Sequence, residues 1–289
     1  MGANATILMY HRVTDEARSP LVVSPERFKR QLAYLGEHYQ VVPLRDLVAR
    51  LRVDTPLTAP LAALTFDDGY RDNLTIAAPI LCAFGMSATL FFAPGPQELG
   101  RPFWWDLLDA IGMTDAGALT RLKELPYPEF QELMTETIAE LRPKRVTELV
   151  KRLYLNWDEV RAWVDQGMGI GAHTLTHPIL SKLTVEQARW EICQSRAVIE
   201  RQVGKAIDLF SYPNGRAEDF TPATTTLLQE EGFRAACTTI KGWNDHTTDP
   251  LRLHRIGAHD QPLPLFALRL SPAANAAQQR LRTVRGARA

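Results

Sequence analysis

Two clusters of residues in this sequence have types and spacings suited to chemistry. In Leu64-Thr65-Phe66-Asp67-Asp68-Gly69-Tyr70, an apolar run beginning at Leu61 ends in two adjacent carboxylates and a glycine. Successive side chains of a strand point to opposite faces, so Asp67 and Asp68 cannot do the same job. One can hold a metal while the other faces a bound water or a substrate. Gly69 permits a tight exit that leaves both at the strand's C-terminal rim, where α/β folds place their chemistry. About a hundred residues on, Gly169-Ile170-Gly171-Ala172-His173-Thr174-Leu175-Thr176-His177-Pro178 carries two histidines. Imidazoles with a carboxylate make a mixed nitrogen and oxygen site with positions left for water. In the helical zinc-protease pattern a Glu directly follows the first histidine. Here Thr174 stands there and Pro178 closes the stretch, so the pair belongs to a strand-to-loop site. Singly, an Asp-Gly turn and two surface histidines account for these clusters. Together they point to a metal.

The elements around them read as alternating strands and helices. Ile7 to His11 is a strand ending on a histidine, and Ser24-Pro25 opens a helix in cap-then-proline order. Val41-Val42-Pro43 is a short strand, and Asn73 to Phe84 is a helix closed by Gly85. Strands follow at Thr89 to Ala93, before His173, at Ile207 to Phe210, at Phe233 to Thr238 and at Leu253 to Ala258. Such alternation argues for parallel pairing, in a barrel or a doubly wound sheet. Asn156 with Glu159, and Thr184 with Gln187, have capping-box spacing. Residues 95–156 break the pattern, with helical periodicity and no convincing strand; they read as an insertion at the active-site rim, where loops carry specificity. Phe103-Trp104-Trp105 at its start can stack on a sugar ring or a lipid, or anchor the insertion to its domain; anchoring is the simpler reading. From residue 271 to 289 the chain is rich in Ala, Gln and Arg without apolar periodicity, and is expected to be a basic, disordered tail.

Composition narrows the class. With 289 residues the chain can bury a substantial core. Lys plus Arg and Asp plus Glu both number 33, so no global field favours nucleic acid. Cys82, Cys193 and Cys237 are far apart in apolar segments and read as buried thiols, which favours a reducing compartment. No window approaches a membrane span, and no leader pattern opens the chain. The expectation is a cytoplasmic protein, with peripheral membrane contact left open and the oligomeric state undetermined.

The motifs resemble those of the polysaccharide deacetylases, the NodB-homology carbohydrate esterases, and among them the exopolysaccharide-biosynthesis branch. Thr65 to Gly69 looks like the first motif, His173 to His177 the second, and Phe210-Ser211-Tyr212-Pro213-Asn214-Gly215 a variant of the third. The resemblance runs from about Ile7 to about Leu270. It implies a distorted (β/α) barrel of about seven strands over residues 1–270. It also implies one divalent ion, Zn2+ or another first-row metal, held by Asp68, His173 and His177, with Asp67 as general base. The oxyanion donor it implies is the backbone N–H of Asn214. Two departures stand out. Ser211 occupies the place of the motif arginine, and the fourth motif is absent, Gly242-Trp243-Asn244-Asp245 being the nearest stretch. For the general acid, Leu8-Met9-Tyr10-His11 looks like the branch in which that motif is permuted to the N-terminus, so His11 is the first candidate, His259 the second and His254 the third. First and last strands of a closed barrel are neighbours, so either can reach the same space.

The resulting expectation is a metal-dependent N-deacetylase acting on an N-acetylated sugar in a polysaccharide, oligosaccharide or lipid-linked precursor. Within enzymes the alternative is a deformylase or other small-amide N-deacylase. From another class, the alternative is a non-catalytic saccharide-binding module, suggested by Ser211 and the missing fourth motif.

Overall fold

The computed structural model describes residues 4–16, 19–53, 57–113, 115–140 and 143–271. Beyond Ser271, the expected tail lies outside the described residues.

The strands are β1 (Ala5–Tyr10), β2 (Arg12–Val13), β3 (Val22–Val23), β4 (Gln40–Val41), β5 (Leu61–Asp68), β6 (Ala88–Phe92), β7 (Gly169–Ala172), β8 (Leu209–Ser211), β9 (Ala235–Lys241) and β10 (Leu253–Gly257). Parallel pairing runs β5-β6-β7-β8-β9-β10-β1, and β1 closes the ring on β5. This is a seven-stranded (β/α) barrel, with β4 paired to the outside of β5. The short strand expected at Val41 is therefore not part of the closed ring.

Both faces of these strands are covered, which is why β5 (Leu-Ala-Ala-Leu-Thr-Phe-Asp-Asp) is buried along its whole length. Alternation sorts the side chains. Ala5, Ile7, Ala63, Phe91, Leu209, Cys237 and Leu253 share an inner cluster, against which α2 (Leu44–Leu51) packs. Leu8, Tyr10, Leu64, Phe66, Phe92, Phe210 and Ile256 face outward into a second cluster with the surrounding helices, including α1 (Pro25–His38). After β5 the chain forms a π-helical turn over Asn73–Ala77, continued by α3 (Ala78–Ala83). The single helix expected from Asn73 is thus split, and the buried Asn73 side chain donates to the His11 carbonyl, 2.8 Å away.

Between β6 and β7 come α4 (Gly95–Leu99), α5 (Trp104–Ala110), α6 (Ala116–Glu124), α7 (Tyr127–Glu140), α8 (Pro143–Leu153) and α9 (Trp157–Asp165). Helices α10 (Val185–Val203), α11 (Pro222–Glu230) and α12 (Leu263–Leu270) complete the ring. The Asn156/Glu159 and Thr184/Gln187 capping boxes both form, and Gly204 ends α10 in a left-handed conformation. Ser24 behaves differently: its hydroxyl leaves the helix end uncapped and donates to Asp260 at 2.7 Å. The cysteines also depart from expectation. All are free, but Cys82 is exposed and Cys193 half-buried, leaving only Cys237 in the core.

Candidate active site

The carboxylates at the end of β5 are separated by backbone geometry. Asp67 keeps the inward phase of Ala63 and Thr65. Asp68 takes a left-handed conformation, φ 75°, which turns its side chain onto the rim. Gly69 follows with φ 95°, and a Cβ there would meet the Phe92 ring at 2.3 Å. Only glycine fits both the turn and that contact.

His173 and His177 converge on Asp68. Their Nε2 atoms lie 3.6 and 3.4 Å from Asp68 Oδ1. The Ser211 carbonyl sits 2.7 Å from His173 Nδ1 and must accept a proton from it, which leaves the Nε2 lone pair facing Asp68. The loop between the histidines is held from α10. Glu191 accepts from the backbone N–H groups of Leu175 and Thr176 and from the Thr176 hydroxyl, at 2.6–2.9 Å. Trp105 of α5 presses against the His177 ring, centroids 4.8 Å apart.

These three residues suit a metal. Asp68 Oδ1 is buried without a hydrogen-bond partner among the described residues, although it is the atom the two imidazoles face. Ligands about 2.0–2.2 Å from one ion stand roughly 2.8–3.6 Å from each other, a range that includes both separations. Burial, and then the neighbouring charges of Asp67 and Asp106, push Asp68 well above the usual carboxylate range. Burial pushes both histidines down. A carboxylate with no cation and two neutral imidazoles is an arrangement that a divalent ion resolves.

Asp67 already has its cation. Arg255 of β10 meets it with two parallel bonds, Nη1 to Oδ1 and Nη2 to Oδ2, each 2.7 Å. The same guanidinium donates to the Thr238 carbonyl, Thr65 Oγ1 and Ser211 Oγ. Burial opposes the charge on Asp67, but Arg255 and His173 outweigh it and hold the carboxyl far below its usual range. The arginine missing at Ser211 is therefore supplied from another strand, and Ser211 accepts one of its bonds. Sequence reasoning missed Arg255. The signal was an arginine on the inward phase of its strand, between Leu253 and Gly257. The stretch nearest the fourth motif cannot contribute, because Asn244 pairs with Ala5 where the strands begin.

Of the acid candidates, His11 stands beside Asp67. The β1–β5 register ends at Tyr10 opposite Phe66, and one more residue sets His11 level with Asp67. Burial pushes His11 down to about 4, against the pull of Asp67 and with the repulsion of Arg255 and His173. His259 is half-buried nearby, its Nδ1 3.2 Å from the Pro20 carbonyl; burial, and then the charge of Arg269, push it down. His254 is ruled out by position: it sits at the opposite end of the barrel, bonded to Asn244 through its backbone.

Asn214 follows β8 in a left-handed conformation, φ 59°. It shares a small cavity with His177 and Trp105, and its side chain bridges Lys123 of α6 to Asp219. The aromatic run at the start of the insertion divides its work. Phe103 stacks on Trp105, the Trp105 indole N–H donates to the Tyr70 hydroxyl, and Tyr70 and Tyr154 both donate to Asp106. Trp104 instead lines a groove.

A family model described as polysaccharide deacetylase matches residues 54–236, from before β5 into β9. The chain belongs to the polysaccharide deacetylase family. Among relatives of this deacetylase-family chain, the Bacillus subtilis protein YxkH, named for the same family, is 23% identical over 255 residues, covering 88% of this chain and 71% of that protein. The Escherichia coli poly-beta-1,6-N-acetyl-D-glucosamine N-deacetylase is 36% identical over 80 residues, only 27% of this chain and 12% of that protein. Among solved structures, the Streptococcus pyogenes deacetylase PplD in complex with acetate superposes with a TM-score of 0.70 at 20% identity, covering 94% of this chain and 100% of that one. At that identity the likeness concerns the fold.

Proposed function

We propose that this deacetylase-family chain is a metal-dependent hydrolase that removes the N-acetyl group from an N-acetylated sugar within a polysaccharide, oligosaccharide or lipid-linked precursor. The observation that carries the reading is the unpartnered Asp68 Oδ1 facing two imidazole nitrogens, one residue from a carboxylate clamped by Arg255. Asp68, His173 and His177 would hold one divalent ion, with Zn2+ first among first-row metals. When bound, the ion supplies Lewis-acid polarisation and lowers the pKa of water from about 15.7 towards about 7.

The chain's own groups handle protons and orientation. Asp67 accepts the proton of the attacking water, and Arg255 keeps its carboxylate charged and aimed. His11 starts neutral, since burial holds it down to about 4. The proton it gives the departing nitrogen therefore comes from within the cycle, by way of Asp67 beside it. Water and amide then yield carboxylic acid and amine with no net proton taken up. The backbone N–H of Asn214 would donate to the developing oxyanion, a contribution typically worth about 3 kcal/mol. A non-catalytic binding module is disfavoured by Arg255, which makes good the departure at Ser211.

Acetate release from N-acetylglucosamine oligomers, followed with and without chelator, tests the reading. Formate release from N-formyl sugars in place of acetate would redirect it to a deformylase.

A further inference from the structure

The two histidines of the site are oriented by different means. His173 has the Ser211 carbonyl 2.7 Å from its Nδ1, the kind of hydrogen bond that ordinarily fixes a ligand imidazole. The His177 ring is instead walled in by other rings, with centroids at 4.7 Å for His173, 4.8 Å for Trp105 and 5.5 Å for Phe103. Trp105 meets it at 72°, close to the edge-to-face arrangement that aromatic pairs favour. The loop's own backbone is under strain. Thr174 has φ 61° and His177 φ 63°, left-handed values that persist in such residues where the surroundings impose them.

Much of that surrounding comes from the inserted helices. Gly95, which opens α4, donates its N–H to the Leu175 carbonyl at 2.7 Å. A Cβ there would lie 2.6 Å from the same oxygen, so only glycine permits the approach. Beyond His177, the Lys182 ammonium donates to the Lys123 and Leu125 carbonyls, at the corner between α6 and α7. Trp105 is itself tied down. Its indole N–H donates to the Tyr70 hydroxyl at 2.7 Å, that hydroxyl donates to Asp106 at 2.9 Å, and Phe103 stacks on its ring at 4.7 Å. One tryptophan thus links the His177 ring to the chain two residues beyond Asp68.

We propose that Trp105 is a positioning residue for the metal ion: held through Tyr70, it fixes the direction of His177 Nε2 towards Asp68 Oδ1, so that the inserted helices complete the metal site as well as border it. This rests on the reading of Asp68, His173 and His177 as metal ligands, and not on the reaction they serve. A tryptophan that only anchored α5 would support the fold without governing the ion.

Metal binding to the folded, metal-free protein separates those two roles. Competition with a chromogenic chelator gives the Zn2+ affinity, and the visible absorption of the Co2+ form reports the number and arrangement of the ligands. Trp105→Leu should weaken Zn2+ binding by about 10–100-fold, the usual cost of losing a group that orients a ligand, and should shift the Co2+ bands. Trp105→Phe, which restores a ring, should recover part of the affinity. Trp104→Leu makes the same change at a side chain that packs on Trp105 and Phe130 rather than on His177, and should bind as wild type. If Trp105→Leu does not fold, Tyr70→Phe takes its place: it removes only the hydroxyl that holds the indole N–H, should lose affinity in the same direction, and would overturn the proposal by binding as wild type. Wild-type affinity and Co2+ bands in folded Trp105→Leu, with only a lower unfolding midpoint, would also overturn it, as would an equal loss in Trp104→Leu. His177→Ala tells this failure from that of the underlying reading. Full retention of the ion by His177→Ala would remove the metal site and the proposal together, whereas its loss there beside an unaffected Trp105→Leu would remove the proposal alone. An ion that depends on Trp105, in a protein that releases no acetate from any N-acetyl sugar, would support the proposal and remove the deacetylase reading instead.

Discussion

Arg255 and Asp67 form a fully buried bidentate ion pair between the last strand of the barrel and the strand that carries both carboxylates. Breaking one side of such a pair leaves a charge stranded, which costs about 3–5 kcal/mol. Arg255→Ser should therefore destabilise the fold by that order and raise the pKa of Asp67. Because Ser211 Oγ lies 2.9 Å from Arg255 Nη2, Ser211→Arg in the same background should recover much of both losses. Denaturant unfolding of the four members of this double-mutant cycle measures the coupling. Purely additive effects would show that the two positions do not share one guanidinium site.

Strand positions, capping boxes and the pairing of Asp68 with His173 and His177 were legible because they depend on local pattern and on motifs of distinctive spacing. Arg255 was not, since its partner lies 188 positions away and only barrel closure brings them together. Ser24 looked like a helix cap but is drawn to Asp260 by the approach of the chain after β10. The left-handed turn at Asp68, which sets the carboxylate facing the two histidines apart from its neighbour, has no sequence signature beyond the glycine that follows. Of the three histidines considered as acid, register alone separates His11 from His254.

Metal binding is expected to depend on each of the three converging side chains. Asp68→Ala and His173→Ala should each lose most of about one equivalent of divalent ion, with affinity falling by more than the 10–100-fold usual for changes around the ligands. Elemental analysis after gel filtration reads the occupancy. Full occupancy in both variants would place the ion elsewhere.

In the proposed mechanism, proton transfer divides between Asp67 and His11. Asp67→Asn should lower kcat by about 10²–10⁴-fold while retaining metal. His11→Ala should also lower turnover on N-acetyl sugars, with a smaller loss on an activated acetate ester whose leaving group needs no proton. His259→Ala and His254→Ala should be milder on both substrates. A His259→Ala protein that loses more than His11→Ala would transfer the acid role to His259.

The insertion should report pH through Asp106. Burial pushes this carboxyl up to about 6, although the Tyr154 and Tyr70 hydroxyls donate to it. The folded chain thus binds the proton more tightly than the unfolded chain. The stability this group contributes is fully present below an ordinary carboxylate pKa of about 3.9, and it is lost as pH rises through about 6. Asp106→Asn removes that dependence. Its unfolding midpoint should gain on wild type as pH climbs from about 4 to about 6 and hold its advantage above. A midpoint difference that does not change with pH would show that Asp106 titrates normally.

The central claim is that Asp68, His173 and His177 hold an ion that hydrolysis of an N-acetyl group requires. Acetate released from N-acetylglucosamine oligomers by metal-loaded, chelated and reloaded protein tests it most directly, with the ion content of each sample measured in parallel. The account predicts release that tracks occupancy: present when loaded, abolished on chelation, and restored by Zn2+ or another first-row ion. Undiminished release from protein shown to be free of metal would contradict it.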